Sequence, residues 1–505
     1  MKKKTHPEAP SKPGKGRDGS SPVGVVGVPA LVVGIVLGAL AFLLLPLAIR
    51  WDAGGAVNLG GLAFDINIVM RAVIAGAAVG LMGSNRLGVV LASLTGFAAA
   101  ALGLLVFIAV GAPVSALVVG LALVLAPLVS AGMLYLTAVR RGRIAVALAF
   151  GLVVALLLMT TGVVPGPNRE ALASTVTKLS QVPQAEQYGS DEELYLRIPF
   201  LMKGGESYYR AFSQAYVEDI RLDSPPAGRL NYREPLLFWV WAELPVSSPE
   251  GIRLWFIGFA VGVMAAGYWL ARRFVDAAAA MLAPILLCTY FSMAATATWF
   301  GLVEFWAGGL AVVAIAAVLR RRWLLGALLI VAAVATRELM VYLVPAFVVA
   351  WVAYSDRRDE IASLLVVVLG SVAVLGLHLL NAPTSAPGAG VDFSTWTHGQ
   401  SWLRFVWTLS FADEASPFSS ITALITPVAG LIGAVLAPRM WRKALLLIAI
   451  GGALVALYLF GATQSNYWGA ILGPLTLAVA PIALVYLMPS DLASEELQID
   501  RRAAV

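Results

Sequence analysis

Two short stretches of this chain combine residue types that could do chemistry. The first is Ser190-Asp191-Glu192-Glu193-Leu194-Tyr195, followed by Lys203-Gly204-Gly205-Glu206-Ser207-Tyr208-Tyr209. Three consecutive carboxylates repel one another, and that repulsion can leave one of them a usable proton acceptor. The same residues also suit a helix start, since Ser190 followed by Glu193 is a capping box. The second stretch is Thr336-Arg337-Glu338, set between two apolar runs. Counted from Arg322, Arg337 is about 22 Å along a helix, short of the far edge of a roughly 30 Å hydrocarbon core. An ionisable pair at that depth is costly in lipid and functional by default, with an internal salt bridge between two short helices as the structural alternative. Glu304 reaches a similar depth on a neighbouring apolar segment and offers Arg337 a partner. Arg71, His378, His398, Arg404 and Gln464-Ser465-Asn466-Tyr467-Trp468 are weaker signals, each read as structural. No Walker loop, dinucleotide fingerprint, His-Glu-x-x-His or nucleophile elbow is present.

The elements that must position these residues follow from composition. The chain has 505 residues, 60% hydrophobic and 13% charged, with mean hydropathy +0.84. A soluble protein is roughly 45–50% apolar and roughly 25% charged, so a soluble enzyme, a nucleic-acid binder and a single-span receptor are excluded. The net charge of +6 comes from short Lys and Arg clusters between apolar runs and marks membrane orientation. One cysteine, Cys288, excludes an intrachain disulfide.

Residues 1–22 are basic and rich in Pro, Gly and Ser, which predicts a disordered cytoplasmic tail. Val23–Ile49 is too long for a signal-peptide core and lacks a nearby cleavage site, so it reads as a retained helix. Apolar segments follow at 67–83, 87–109, 113–139, 144–164, 252–271, 277–295, 299–319, 323–336, 339–354, 361–380, 420–437, 443–461 and 469–488, fourteen spans with the first. The short segments 323–336 and 339–354 could merge or split, so the count is about 14. This threading puts Lys2–Lys4, Arg140–Arg143, Arg272–Arg273, Arg320–Arg322, Arg357–Arg358, Arg439–Lys443 and Arg501–Arg502 on one side, with both termini cytoplasmic. The outer loops 165–250 and 381–419 remain, and the first carries 12 of the 29 acidic residues. Within it Pro235–Pro245 is apolar but too short to span, and reads as interfacial, with Trp239 and Trp241 in the aromatic belt.

In this order the pieces resemble the polyprenyl-phosphate-dependent integral-membrane glycosyltransferases of the GT-C fold, the class of the protein O-mannosyltransferases and aminoarabinose transferases. In that class a helix leads into a large outer loop that opens with Asp-Glu, continues through a Tyr and a Gly-x-x-Tyr, and ends in a Lys-Pro-Pro-Leu-Leu-Tyr-Trp type of segment. The counterparts here are Asp191-Glu192 with Tyr195, Gly205 to Tyr208, and Tyr232-Arg233-Glu234-Pro235-Leu236-Leu237-Phe238-Trp239. Arg233 stands where the family tends to have Lys, and Glu234 replaces the first proline. The similarity covers about residues 144–490, including Arg253-Leu254 after the loop, Arg337-Glu338 in the broken helix pair and Tyr467 before the last span. The division that follows is a 1–22 tail, an additional four-helix region 23–143, a GT-C-like catalytic region 144–490 and a cytoplasmic tail 491–505.

The resemblance implies transfer of a sugar from a polyprenyl-phosphate donor in the membrane to the hydroxyl of an extracytoplasmic glycan, lipid or protein acceptor. It implies Asp191 as the base with Glu192 second, and Arg233 and Arg337 on the donor phosphate. Tyr195, Tyr208, Asp219, Glu304, Glu338 and Tyr467 would bind substrate or support the site. Because arginines can neutralise a monophosphate leaving group, no metal is required; a divalent ion at Asp191, Glu192 and Asp219 is the alternative. The competing function class is a secondary transporter or lipid flippase, for which many spans with buried charges are ordinary. Against it, the halves show no hydropathy repeat and the acidic residues concentrate in an outer loop. An assembly subunit would leave the Asp-Glu and Arg-Glu pairs unexplained.

Overall fold

Long apolar runs fold as helices because a helix satisfies its backbone polar groups within one segment. The structure is a computed structural model that describes residues 89–109, 116–138, 142–160, 191–220, 229, 232–296, 299–355, 360–383, 428–460 and 466–486, with isolated positions before residue 80. Every regular element among these residues is helical. The tails 1–22 and 491–505, all but Ile35 of the first predicted span, most of 67–83, residues 161–190 and most of 381–427 lie outside the described residues. Arg71, His398 and Arg404 lie there too.

Three helices open the described chain: α1 (Val89–Ala109), α2 (Ala116–Ala138) and α3 (Gly142–Thr160). Small side chains let α1 and α2 approach closely: Ala99, Ala100, Ala122 and Ala126 are fully buried, and a Cβ on Gly96 would lie 3.0 Å from that of Ser130. Next come α4 (Asp191–Lys203), α5 (Tyr208–Ile220) and α6 (Leu236–Glu243). The core follows as α7 (Pro249–Ala271), α8 (Leu282–Thr296), α9 (Val303–Leu319) and α10 (Trp323–Thr336). The order ends with α11 (Leu343–Tyr354), α12 (Ile361–Asn381), α13 (Met440–Phe460) and α14 (Gly473–Tyr486).

Helix α9 lies at the centre, buried along almost its whole length. Around it Phe256, Phe291, Phe305 and Trp306 pack as an aromatic cluster with centroids 5.3–6.4 Å apart where they meet. Helix α3 closes on α8, where the Cys288 thiol donates to the Val153 carbonyl at 3.5 Å. The rim is apolar and exposed: Leu324, Leu325 and Leu328 on α10, and Leu365, Leu369, Val372, Leu377 and Leu380 on α12. Water does not tolerate a surface of this kind, whereas lipid does. Pro249–Ala271, Ile361–Asn381 and Met440–Leu459 are long and apolar enough to cross a membrane.

Two sequence expectations meet irregular backbone. Segments 323–336 and 339–354 stay separate: α10 stops at Thr336, Arg337 is extended (φ −151°, ψ 118°), and Glu338–Tyr342 form a 3-10 turn before α11. Segment 277–295 divides into Ala277–Ala280 and α8. The 8-residue α6 covers about 12 Å, far from a span, and buries Leu237, Phe238 and Trp241 while exposing Trp239 and Val240.

Candidate functional site

Helix α4 buries Leu194, Tyr195, Leu196 and Ile198 against the core, and this docking fixes its first turn. Asp191, Glu192 and Glu193 occupy that turn, where carboxylates favour the helix dipole. Successive helix residues are rotated by about 100°, so the three do not share one face. The turn is clamped from below: a Cβ on Gly301 would lie 2.9 Å from the Glu192 carbonyl oxygen and 2.8 Å from Leu196 Cγ. At its other end α4 turns through Gly205, whose φ of +101° suits glycine. Lys203 Nζ donates to the carbonyls of Leu244 (2.7 Å) and Val246, tying α4 to the end of α6.

The two tyrosines of the loop motif hold Arg233 at both ends. Arg233 Nε donates to Tyr195 Oη at 2.6 Å, and Tyr208 Oη donates to the Arg233 carbonyl at 2.5 Å. Burial above all, then Tyr209 and Glu234, push the Tyr208 phenol far above its usual range, so it serves as a neutral donor. Asp191 opens the same helix that holds Tyr195, the hydrogen-bond partner of Arg233.

Below this layer lies the helix break. Arg337 Nε is 2.9 Å from Glu304 Oε1, both side chains being wholly buried, and Arg337 Nη1 donates to Glu338 Oε1. The pairing of Glu304 with Arg337 is therefore present. Arg233 is close enough for its charge to act on both Glu304 and Glu338. Loop and helix break, 104 positions apart in sequence, thus contribute their arginines to one cluster. The two differ in access: Arg233 is 8% exposed, while Arg337 is enclosed between two carboxylates.

Sequence reasoning passed over two members of the cluster. Glu234, noted only as a departure from a proline, is completely buried, and neither of its carboxyl oxygens has a hydrogen-bond partner. Its Oε2 lies 3.8 Å from Nδ1 of His378, a residue read as structural. Burial, and then the negative charge of Glu338, push the Glu234 carboxyl up to about 9 against the opposing pull of Arg337. At neutral pH Glu234 is an uncharged acid. Tyr209 Oη sits 3.2 Å from His378 Nδ1, and Arg229 Nη1 donates to the Leu379 carbonyl at 2.8 Å, so the loop is fastened onto the end of α12. The available signal was a carboxylate next to an arginine in an otherwise apolar motif, and a lone histidine near a span end.

Other expected residues fall elsewhere. Arg253 pairs with Glu250 one helical turn away on α7, through Nε to Oε2 at 2.7 Å. The side chains of Asp219, in the last turn of α5, and Tyr467, in the 3-10 stretch Asn466–Ile471, lie outside the described ones. The alternative metal set of Asp191, Glu192 and Asp219 includes one of these. Among the described residues no group of three His, Cys, Asp or Glu side chains gathers to hold a metal.

Fold and site together define a chain whose described elements are all helical, some of them suited to cross a bilayer, and which gathers buried Arg233, Glu234, Glu304, Arg337 and His378 with the partly exposed Glu338. No protein family, curated protein or solved structure with which the chain was compared matches it.

Proposed function

We propose that the chain is a polytopic membrane glycosyltransferase with GT-C-like architecture and about 14 spans. Its loops 165–250 and 381–419 face the extracytoplasmic side and both termini the cytoplasm. It moves a sugar from a polyprenyl-phosphate donor to an acceptor hydroxyl. The observation that carries this reading is the convergence of Arg233 and Arg337 on Glu304 and Glu338, beside the helix that starts with Asp191.

The acceptor oxygen forms a bond to the anomeric carbon as the bond from that carbon to the phosphate oxygen breaks. Asp191, with Glu192 second, takes the hydroxyl proton, and the charge left on the phosphate meets Arg233. Tyr195 and Tyr208 orient the Arg233 guanidinium. Arg337, already engaged by Glu304 and Glu338, acts by placing those carboxylates, a narrower role than direct phosphate contact. No metal is needed for these steps.

A transporter or flippase is the second reading, favoured by one observation: a discontinuous helix that carries an enclosed ion pair is a familiar transporter device. Purified protein given a polyprenyl-phosphate sugar separates the two. The transferase releases polyprenyl phosphate in a manner that depends on Arg233 and Asp191 and persists in chelator. Absence of turnover with every lipid-linked sugar tried, together with solute uptake in liposomes, selects the transporter.

A further inference from the structure

The opposite end of the bundle carries a second group of arginines. Helix α7 ends into Arg272–Arg273, α9 turns through Arg320–Arg322 into α10, and α13 starts after Arg439. The three turns surround a cavity of about 300 Å³ lined by Arg273, Arg320, Arg321, Arg439 and Arg442, with Tyr354 and Trp441 beside them. Among the described residues its lining includes no carboxylate. The Tyr354 and Trp441 rings stack at 4.7 Å, the Arg321 guanidinium lies 4.3 Å from the Tyr354 ring, and that of Arg442 lies 5.4 Å from Trp441. Arg320 sits 4.0 Å over Trp269. Aromatic faces of this kind hold a guanidinium plane in one orientation.

The backbone adds an independent sign. Among the described residues the two non-glycine positions with positive φ are Arg321 (60°) and Arg439 (69°), and both line this cavity. Arg321 closes α9 in a Schellman turn: its N–H donates to the Val318 carbonyl at 2.8 Å, and that of Arg322 to Ala317 at 2.9 Å. The residue in that place is normally glycine, and a side chain there strains the backbone. Burial, then the charges of Arg320 and Arg321, pull the Arg273 guanidinium below its usual range. Favourable interaction with helix C-termini needs only a basic residue in each last turn, not five arginines around one cavity.

We propose that this cavity binds a phosphate group, carried by an anionic lipid headgroup of the adjoining leaflet or arriving as free phosphate. Forked arginine donors match phosphate oxygens, and basic pockets between membrane helices hold phosphate headgroups. Trp269, Tyr354 and Trp441 are residue types that mark the interfacial level where such headgroups lie. The site shares no residue with the Arg233–Arg337 cluster and stands independently of the transferase reading.

The test uses the purified full-length protein in an uncharged detergent, titrated with dioleoylphosphatidylcholine, dioleoylphosphatidylglycerol or inorganic phosphate. Thermal unfolding and lipid retention by native mass spectrometry are the readouts. Phosphatidylglycerol should stabilise and be retained where phosphatidylcholine is not, with affinity falling about fivefold for each of Arg320→Gln and Arg442→Gln. Arg272→Gln, on the same face but outside the lining, should change it little. Stabilisation by inorganic phosphate that also displaces the lipid identifies free phosphate as the source, and lipid binding that phosphate does not compete identifies the headgroup. Arg321→Gly should weaken anion binding while leaving the lipid-free protein at least as stable, because the strained position is relieved. Equal response to both lipids with none to phosphate, or equal losses in Arg272→Gln and the cavity variants, overturns the proposal.

Discussion

Replacing Glu304 with leucine removes one of the carboxylates around Arg337 while keeping the side chain's size. Both partners are wholly buried and 2.9 Å apart, so the substitution leaves a buried guanidinium short of a counter-charge. Truncating one partner of a buried pair costs about 3–5 kcal/mol. Glu338 still engages Arg337, which places the loss near the lower end, at about 3 kcal/mol. The double variant Glu304→Leu/Arg337→Met removes both charges, and apolar replacement of a complete buried pair is often neutral; it should recover roughly 2 kcal/mol of that loss, less any cost of leaving Glu338 without its arginine. Reversible unfolding of the detergent-solubilised protein, followed for wild type, both single variants and the double, gives the coupling energy directly. Additive single losses, or a Glu304→Leu protein as stable as wild type, would refute the enclosed pair as the element that holds α9 against the helix break.

Arg233→Ala should abolish most polyprenyl-phosphate release while Arg233→Lys, which keeps the charge but not the fork, retains part of it; equal activity in both variants removes Arg233 from the phosphate. Asp191→Asn should lower transfer by about 10²–10⁴-fold with donor binding intact, and Glu193→Gln much less, in single-turnover assays. Glu234 binds its proton up to about pH 9 in the folded chain but ionises near pH 4.3 when unfolded. Between those values the folded state holds the extra proton, so stability falls as pH rises through that window. Glu234→Gln should flatten the profile of unfolding temperature against pH, and an unchanged slope would show that Glu234 is not held protonated beside His378, Glu338 and Arg337. Because Cys288 is buried, Ser247→Cys supplies an accessible thiol in the loop; labelling it only with reagent from the cytoplasmic side would reverse the proposed topology.

Composition and hydropathy were enough to read the membrane-suited helices that the described residues form, because twenty-odd apolar residues in a row have few other ways to satisfy their backbone. The depth count from Arg322 to Arg337 and the similar depth of Glu304 were also legible, since helix rise converts sequence distance into height. Height says nothing of azimuth, and so the sequence left open whether Glu304 and Arg337 faced each other. Only the packing of α9 on α10 decided that they do. The same holds for Arg233, whose buried position depends on α4, α5 and α6 docking together through Tyr195, Tyr208 and Lys203. Glu234 and His378, 144 positions apart in sequence, became one buried pair through that same docking. The arginines of three separate turns likewise surround one cavity only once α7, α9 and α13 align their ends. Local sequence sets which residues are apolar and how far each lies along its helix, while burial, charge pairing and the protonation of Glu234 arise from neighbours that only the tertiary fold supplies.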